Sequence, residues 1–192
     1  MIMEDFPELR TERLVLNQPK WNDVPVIVSH ADNIKIVENT RTMPHPYHEE
    51  DAISWIQMVN QGFQDKDRYI FAVRLNLDDS FIGGIGLTLD VQNNRAELGY
   101  WIAEPFWNLG FATEAVEAIL KFGFETLGLN KIIAVYLTTN SASGKVMVKN
   151  GMIKEAELID HDVKRDHTID DNVYVSLIQY RLLKKEYESL KK

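Results

Sequence analysis

The residues best suited to chemistry in this sequence lie in one stretch, residues 97–115. A carboxylate, Glu97, opens the stretch, and a loop containing Gly110 stands where an alternating strand pattern gives way to a helical one. The first N–H groups of a helix have no internal partner and carry the positive end of its dipole, so a loop opening onto them can bind a phosphate. Gly110 has no Cβ to hold an anion away from these amides, and Ala112 is small. The stretch predicts an anion site next to a carboxylate.

Spacing alone leaves another interpretation of this loop open. A Walker loop needs Gly-Lys-Ser/Thr before its helix, whereas Gly110 is followed by Phe111 and Ala112. The run Gly-Gly-Ile-Gly at residues 83–86 lacks the third glycine of a dinucleotide-binding fingerprint. An ordinary strand-to-helix loop, however, fits residues 107–112 as well as an anion-binding loop does.

Several motifs follow one another in a specific order. Residues 96–102 read Ala-Glu-Leu-Gly-Tyr-Trp-Ile, residues 107–115 read Trp-x-x-Gly-x-Ala-Thr-Glu-Ala, and residues 140–151 read Asn-x-x-Ser-x-x-Val-x-x-Lys-x-Gly. The segment 107–112 resembles the Gln/Arg-x-x-Gly-x-Gly/Ala loop of the GNAT acetyltransferases, which wraps the pyrophosphate of acetyl-coenzyme A. The ordered set is similar to the RimJ/RimL-type branch, which acetylates N-terminal alanine or serine of ribosomal proteins. This resemblance covers about residues 9–183 and favours the anion-binding interpretation.

The resemblance implies a fold and a reaction. The implied fold class is α/β (α+β), a mixed sheet of about seven strands with splayed central strands and helices on both faces. It implies a single N-acetyltransferase domain over residues 1–192, with a core at about 9–183 and a tail or short helix at 184–192. It also implies acetyl-coenzyme A as donor, coenzyme A as product, no metal, and direct transfer in a ternary complex.

The resemblance also assigns residues to the coenzyme. Backbone groups of Trp101 and Ile102 would pair with its pantetheine arm, and Asn140 would hold the same arm. The residues expected to enclose its diphosphate are Asn108, Leu109, Gly110, Phe111, Ala112 and Thr113. Leu109 stands where the family often has a basic residue, so the loop is expected to bind phosphate through amides and the helix dipole alone.

Three side chains are candidates for the proton transfers. Glu97 is the candidate general base, and the alternative is an exposed carboxylate paired with Arg95 or Lys131. By resemblance Ser143 would protonate the departing thiolate, as well as contact the coenzyme, although serine is also common at helix starts. Tyr136 is a rival acid, and a strand tyrosine is often only packing. Ser141 is expected to cap the helix that follows residue 140.

Periodicity and turn residues predict the elements that would position these groups. The predicted strands are 12–16, 69–75, 81–89, 97–102, 131–137, 152–159 and 172–182, and the predicted helices are 23–31, 52–63, 112–127 and 141–150. Short turns between the second, third and fourth strands predict an antiparallel meander. A helix between strands 97–102 and 131–137 permits them to pair in parallel.

Composition limits the partners. The 192 residues carry a formal charge of −8, which argues against nonspecific binding to nucleic acid or acidic membranes. The absence of cysteine excludes an acetyl-cysteine intermediate. Without a leader or an apolar span, a cytoplasmic protein is expected. The acceptor would be a peptide N-terminus or a small amine, and the predicted rim of the acceptor site comprises residues 44–48, Trp55 and a polar loop at 160–171. A non-catalytic acyl-coenzyme A sensor is the alternative function. The oligomeric state, monomer or homodimer, is left open.

Overall fold

The computed structural model describes residues 5–166 and 171–191, in which eight strands form one mixed sheet in the order β1-β2-β3-β4-β5-β6-β8-β7. The strands are β1 (Leu9–Arg10), β2 (Leu14–Asn17), β3 (Arg68–Leu75), β4 (Phe81–Asp90), β5 (Arg95–Ile102), β6 (Lys131–Leu137), β7 (Ile153–Asp166) and β8 (Asp171–Leu183). The helices are α1 (Val24–Ala31), α2 (Ile34–Asn39), α3 (Glu49–Asp65), α4 (Phe111–Lys121), α5 (Ser141–Lys149) and α6 (Lys184–Leu190). The predicted mixed α/β class is confirmed. The count of about seven strands misses β1, because two residues are too short to show a period.

The centre of the sheet contains the predicted meander and a parallel pair. Strands β3, β4 and β5 are antiparallel neighbours, and β5 pairs in parallel with β6 after the chain returns through α4. The β5–β6 ladder runs only from the Arg95–Lys131 pair to the Leu98–Ala134 pair. Because β5 continues to Ile102 and β6 to Leu137, the two central strands part beyond Leu98. This splayed gap, residues 99–102 of β5 facing 135–137 of β6, is the central feature of the fold.

Helices cover both faces of the sheet. Ala115, Val116 and Ile119 of α4 are fully buried against one face, at the spacing of a single helical stripe. Ile27 of α1 and Ile56 of α3 are equally buried on the other face. Successive residues of β5 therefore point into different layers, since side chains of a strand alternate between faces.

Three local features differ from the sequence-based expectation. Helix α2 was not predicted, because its six residues are too few to show a helical stripe; the Asn33 side chain caps it by accepting from the Lys35 N–H. The cap of α5 is Asn140, whose Oδ1 accepts from the Ser143 N–H at 3.1 Å. The assignment of the cap to Ser141 was therefore wrong by one residue: Ser141 is the first residue inside the helix.

The polar loop predicted at 160–171 is largely strand. Residues 160–166 belong to β7, which pairs with β8 up to the Asp166–Asp171 pair, and residues 167–170 lie outside the described part of the chain. The ladder shifts register between Leu158 and Asp162, and Asp160 has a φ of 46°. This bulge interrupts the alternation on which a strand prediction depends, and the result is a hairpin that extends past the end of β6.

Among the helices in the described part of the chain, none is long and apolar enough to cross a bilayer.

Candidate active site

The gap between β5 and β6 exposes backbone groups of β5. The Ala103 N–H donates to Ile82 O at 2.8 Å, which fixes the hydrogen-bond phase of the β4–β5 ladder. Hydrogen-bonding residues alternate along an antiparallel strand, so the N–H and C=O of Trp101 face β4. Those of Tyr100 and Ile102 face the gap. The backbone contact predicted for Ile102 is thus geometrically open, whereas the backbone groups of Trp101 are directed towards β4, and those of Tyr100 face the gap instead.

One of these groups is already engaged. The Trp107 indole Nε1–H donates to the Ile102 carbonyl at 2.5 Å. In the sequence, Trp107 is the first residue of the motif at residues 107–115. In the structure its indole ties the loop after β5 to the end of the strand, and so couples the gap to the start of α4.

The loop before α4 presents free amides. Gly110, the N-cap, has a φ of +85°, and the first hydrogen bond of the helix joins the Glu114 N–H to Gly110 O at 3.1 Å. In the described part of the chain, the N–H groups of Phe111, Ala112 and Thr113 have no hydrogen-bond acceptor. Three convergent donors at the positive end of an eleven-residue helix fit a diphosphate. The sequence-based assignment of the loop to the coenzyme remains a prediction that this geometry supports.

Ser143 has a partner that the sequence did not indicate. Its Oγ lies 2.7 Å from the Tyr100 Oη, so that a residue of α5 and a residue of β5 are joined on the same face of the sheet. Burial raises the pKa of Tyr100 to about 12, although the hydrogen bond from Ser143 opposes the shift. The phenol is therefore neutral throughout the physiological range, and it can either accept a hydrogen bond from the Ser143 hydroxyl or donate one to it.

Both the oxygen and the nitrogen of the Asn140 side-chain amide make hydrogen bonds. Besides capping α5, it donates through Nδ2 to Asn39 O, the last residue of α2, at 3.0 Å. The predicted contact of Asn140 with the pantetheine arm requires this side chain to exchange one of its two hydrogen bonds, or requires the backbone to make the contact instead.

Tyr136 lies on the same face as Ser143 but in a different environment. Its hydroxyl is packed under α5, where a Cβ added to Gly144 would be 2.5 Å from that oxygen. Its ring lies 6.0 Å from the ring of Tyr180, and burial together with Tyr180 and Glu157 raises its pKa. The hydroxyl of Tyr136 is thus packed between α5 and the sheet, against Gly144, the residue that follows Ser143.

Glu97 points to the opposite face. Its Oε1 accepts from Arg41 Nη1 at 2.7 Å, and Arg41 Nε lies 2.8 Å from a carboxylate oxygen of Asp162. The ion pairs expected with Arg95 or Lys131 were wrong, since Arg95 pairs with Asp90 and Lys131 with Glu155. Oε2 of Glu97 has no hydrogen bond within residues 5–166 and 171–191, and 42% of the side chain is exposed. A Cβ added to the neighbouring Gly99 would meet nothing within 4 Å, so open space adjoins Glu97 on this face.

The end of α2 and the hairpin of β7 form one wall beside Glu97. Lys164 donates through Nζ to Val37 O at 2.7 Å and to Glu38 O at 2.9 Å, which satisfies carbonyls at the helix end. Burial of Lys164 lowers its pKa. Arg41 and Asp162 complete the wall. The hairpin, predicted as a polar loop, is therefore docked on the same side of the sheet as Glu97.

The other predicted rim residues are distributed along α3 and the segment before it. Trp55 packs over Gly84 beside the Trp101 indole, near the floor of this side of the sheet. His45 lies 3.1 Å from Asp32, and the backbone N–H of Tyr47 donates to the same carboxylate. His48 is the N-cap of α3. Over residues 5–166 and 171–191, no three His, Asp or Glu side chains converge as metal ligands.

The structure brings the predicted residues together in two groups. Ser143 and the α4 terminus lie on the α4/α5 side of the gap, and Glu97 lies on the α1/α3 side. The site residues that sequence reasoning missed are Tyr100 and Arg41; Asp162 belongs to the predicted rim, but its pairing with Arg41 was not predicted. A tyrosine in a strand, an arginine after a short helix and an aspartate in a hairpin carry no local signal of their roles, because each role depends on a partner from another element.

Comparisons with known proteins place this arrangement in a family. The family model for the acetyltransferase (GNAT) domain matches residues 13–153. An uncharacterised N-acetyltransferase of Bacillus subtilis, YoaA, is 33% identical over 175 residues, covering 88% of this chain and 96% of that protein. The ribosomal-protein-serine acetyltransferase of Escherichia coli is 28% identical over 134 residues, covering 68% of this chain and 72% of that protein.

A solved structure shares the fold. The ribosomal alpha-N-protein acetyltransferase RimL, in complex with coenzyme A, superposes with a TM-score of 0.82 at 14% identity, over 92% of this chain and 98% of that one. The likeness in fold agrees with the match of the family model over most of the chain. This chain belongs to the GNAT acetyltransferase family and is an acetyl-coenzyme A-dependent N-acetyltransferase.

Proposed function

We propose that this enzyme acetylates the α-amine of a protein N-terminus, with alanine or serine as the first residue, by direct transfer in a ternary complex. One observation carries the proposal: a carboxylate, Glu97, and a hydroxyl, Ser143, flank the β5–β6 gap from opposite faces of the sheet. This is the arrangement that an amine arriving from one side and a thioester arriving from the other require.

The reaction sets the tasks. The amine nitrogen forms a bond to the acetyl carbon, the carbon–sulfur bond breaks with its electrons moving to sulfur, one proton leaves the amine and one reaches the thiolate. Glu97 takes the amine proton through its free Oε2, directly or through a water, while Arg41 holds Oε1. An α-amine has a pKa of about 7.7–8.0 against about 10.4 for a lysine side chain. A carboxylate base therefore has a smaller pKa gap to bridge with an N-terminus than with a lysine.

The thiolate receives its proton from Ser143. The Tyr100 phenol, which lies 2.7 Å away and is neutral because burial raises its pKa to about 12, returns a proton to Ser143, and the resulting phenolate takes a proton from solvent. Tyr136 is the less favoured acid, since its hydroxyl is packed against Gly144 rather than joined to a group that faces the gap.

Backbone groups in the gap can polarise the thioester carbonyl and bind the pantetheine arm. The N–H groups of Tyr100 and Ile102 face the space between β5 and β6, and one N–H aimed at the thioester oxygen would stabilise the negative charge that develops there. The same strand edge offers hydrogen bonds to the amides of the pantetheine arm. The amides of Phe111, Ala112 and Thr113 hold the diphosphate at the α4 terminus.

The acceptor class is supported by two further observations. The Escherichia coli relative named above is a ribosomal-protein-serine acetyltransferase that aligns over two thirds of this chain. The chain has a formal charge of −8, which favours a cationic acceptor.

A direct experiment compares acceptors. Peptides that begin with alanine or serine are incubated with the enzyme and acetyl-coenzyme A, in parallel with a panel of polyamines, amino acids and amine-bearing antibiotics, and products are identified by mass spectrometry. Acetylation at the peptide α-amine is expected. Acetylation of free amines alone would replace the proposal with the small-amine alternative, and binding of the coenzyme without any turnover would favour an acyl-coenzyme A sensor.

A further inference from the structure

We propose that Arg13, directly before β2, is a positioning residue for the donor: it braces the loop before α4 in the conformation that receives the diphosphate. The guanidinium connects this loop to the first turn of α4. Its Nε donates to Glu114 Oε2 at 2.7 Å and its Nη1 donates to Leu109 O at 2.9 Å. The loop's own sequence contains no cation, so the brace comes from a residue about a hundred positions earlier. This inference rests on the proposed use of the loop for the diphosphate.

The loop needs external support because its backbone is unfavourable. Asn108 has a φ of 61° and Gly110 has a φ of 85°, so two residues within three adopt left-handed conformations. Glycine adopts this region freely, whereas asparagine only tolerates it. Such backbone conformations persist when surrounding contacts determine them. The hydrogen bond from Arg13 fixes the carbonyl of Leu109, which lies between these two residues.

Glu114 anchors the other end of the brace. Its Oε1 accepts from Thr11 Oγ1 at 2.6 Å and from the Arg13 backbone N–H at 2.8 Å, while Oε2 accepts from the Arg13 side chain. Both carboxylate oxygens are thereby used, and only 16% of the side chain is exposed. Because Glu114 lies in the first turn of α4, these contacts attach the free amides of that turn to the edge of the sheet.

The guanidinium also packs against the loop. Its Cζ lies 4.6 Å from the centroid of the Phe111 ring, and Nη2 lies 3.3 Å from the position that a Cβ of Gly110 would occupy. The same guanidinium thus holds the loop by hydrogen bonds and by its contact with the Phe111 ring. The charge of Arg13 is balanced by Glu114, so the role is to position the amides of residues 111–113 rather than to bind phosphate.

Affinity for the donor should therefore depend on Arg13, while the rate of acetyl transfer from the bound donor should not. A preformed loop binds more tightly because the coenzyme does not have to order it. Arg13→Gln is expected to weaken coenzyme A binding about 10-fold or more in calorimetry, since charge-assisted hydrogen bonds are lost at the hinge of the loop. Arg10→Gln is the matched control, because Arg10 pairs with Glu8 at the surface and makes no contact with the loop. Its affinity should match that of the wild type.

A second donor separates positioning from general damage. S-acetylpantetheine carries the thioester and the arm but no diphosphate, so Arg13→Gln should raise KM for acetyl-coenzyme A while leaving kcat/KM for S-acetylpantetheine unchanged. Unchanged coenzyme A affinity, or equal losses with both donors, would overturn the proposal.

Two further variants cover the remaining outcomes. If Arg13→Gln does not fold, Arg13→Lys keeps the charge but cannot donate to Glu114 and Leu109 at once. It is expected to weaken coenzyme A binding to a smaller extent and to leave kcat/KM for S-acetylpantetheine unchanged. Equal losses with both donors would again overturn the inference. Gly110→Val tests the loop itself. If Gly110→Val leaves affinity unchanged, the proposed diphosphate site is wrong; if it weakens binding and Arg13→Gln does not, only the brace is wrong.

Discussion

The hydrogen bond between Tyr100 and Ser143 leads to a quantitative expectation for Tyr100→Phe. The substitution removes one oxygen and leaves the ring in place, so Ser143 Oγ loses a partner 2.7 Å away without a cavity being formed. A hydrogen bond between neutral groups contributes about 0.5–1.5 kcal/mol net. At about 1.36 kcal/mol per factor of ten, kcat should fall about 2- to 13-fold. Ser143→Ala removes the acid itself and should cost about 100-fold or more.

The two substitutions should not be additive if they act on one proton path. Once Ser143 is alanine, the Tyr100 phenol has nothing to replenish, so the double variant should be no slower than Ser143→Ala. Tyr136→Phe is the comparison, because it removes a tyrosine hydroxyl from the same layer and is expected to leave kcat near that of the wild type. Burial raises the pKa of Tyr100 to about 12. The pH–rate profiles of wild type and Tyr100→Phe should therefore keep the same shape up to about pH 10.

The assay is favoured by the composition of the chain. Since the protein contains no cysteine, a thiol reagent reports only the coenzyme A that is released. Rates are measured with both substrates saturating, so that binding defects do not enter kcat. An unchanged kcat for Tyr100→Phe, or losses that multiply in the double variant, would refute the proton path. A loss with Tyr136→Phe as large as that expected for Ser143→Ala would assign the acid to Tyr136 instead.

Three other substitutions test the remaining parts of the site. Glu97→Gln should lower kcat about 100-fold or more while leaving calorimetric coenzyme A affinity within about 2-fold, with exposed Glu117→Gln as the control; full turnover near neutral pH would exclude Glu97 as the base. Gly110→Val should weaken coenzyme A binding about 10-fold or more in calorimetry, because a β-branched residue is strained at a φ of +85°; equal affinity would rule out this loop as the diphosphate site. Partial burial alone would raise the pKa of Glu114, but the hydrogen bonds from Thr11 and Arg13 outweigh it and hold that pKa below its ordinary value. The stabilisation is therefore present above the ordinary glutamate pKa and lost as pH falls through the lower native value. The stability difference between wild type and Glu114→Gln in urea should accordingly shrink between about pH 6 and about pH 3, and a constant difference would contradict this.

The elements around the gap were predictable because their signals are local. Alternation along residues 97–102 gives β5, the apolar stripe from Ala115 to Ile119 gives α4, and Gly110 stands at the junction. The boundaries of β6 were predicted to the residue, since a continuous apolar run is bounded by Asn130 and Thr138. Helix α2 was missed for the opposite reason, because its six residues, three β-branched and three polar, are too few to show a clear helical period.

The partners of the site residues were not predictable in the same way. The alternative to a catalytic role for Glu97 was an ion pair with Arg95 or Lys131, its neighbours by sequence or by strand order, but its partner Arg41 comes from a loop 56 positions away. Ser143 was identified without Tyr100. The loop was judged to lack a cation until the fold placed Arg13 against it.

The sequence by itself determined which residues form the central strand, the loop and the helix, and hence the family, and it predicted where the diphosphate would bind. Those features depend on side-chain period, on the missing Cβ of Gly110 and on the free amides of a helix start, all of which are properties of consecutive residues. Only the tertiary structure decided that Glu97 and Ser143 lie on opposite sides of one gap, that Tyr100 joins Ser143, and that Arg13 holds the loop. Such contacts are set by strand register and by how helices pack on a sheet, which are properties of residues far apart in the chain.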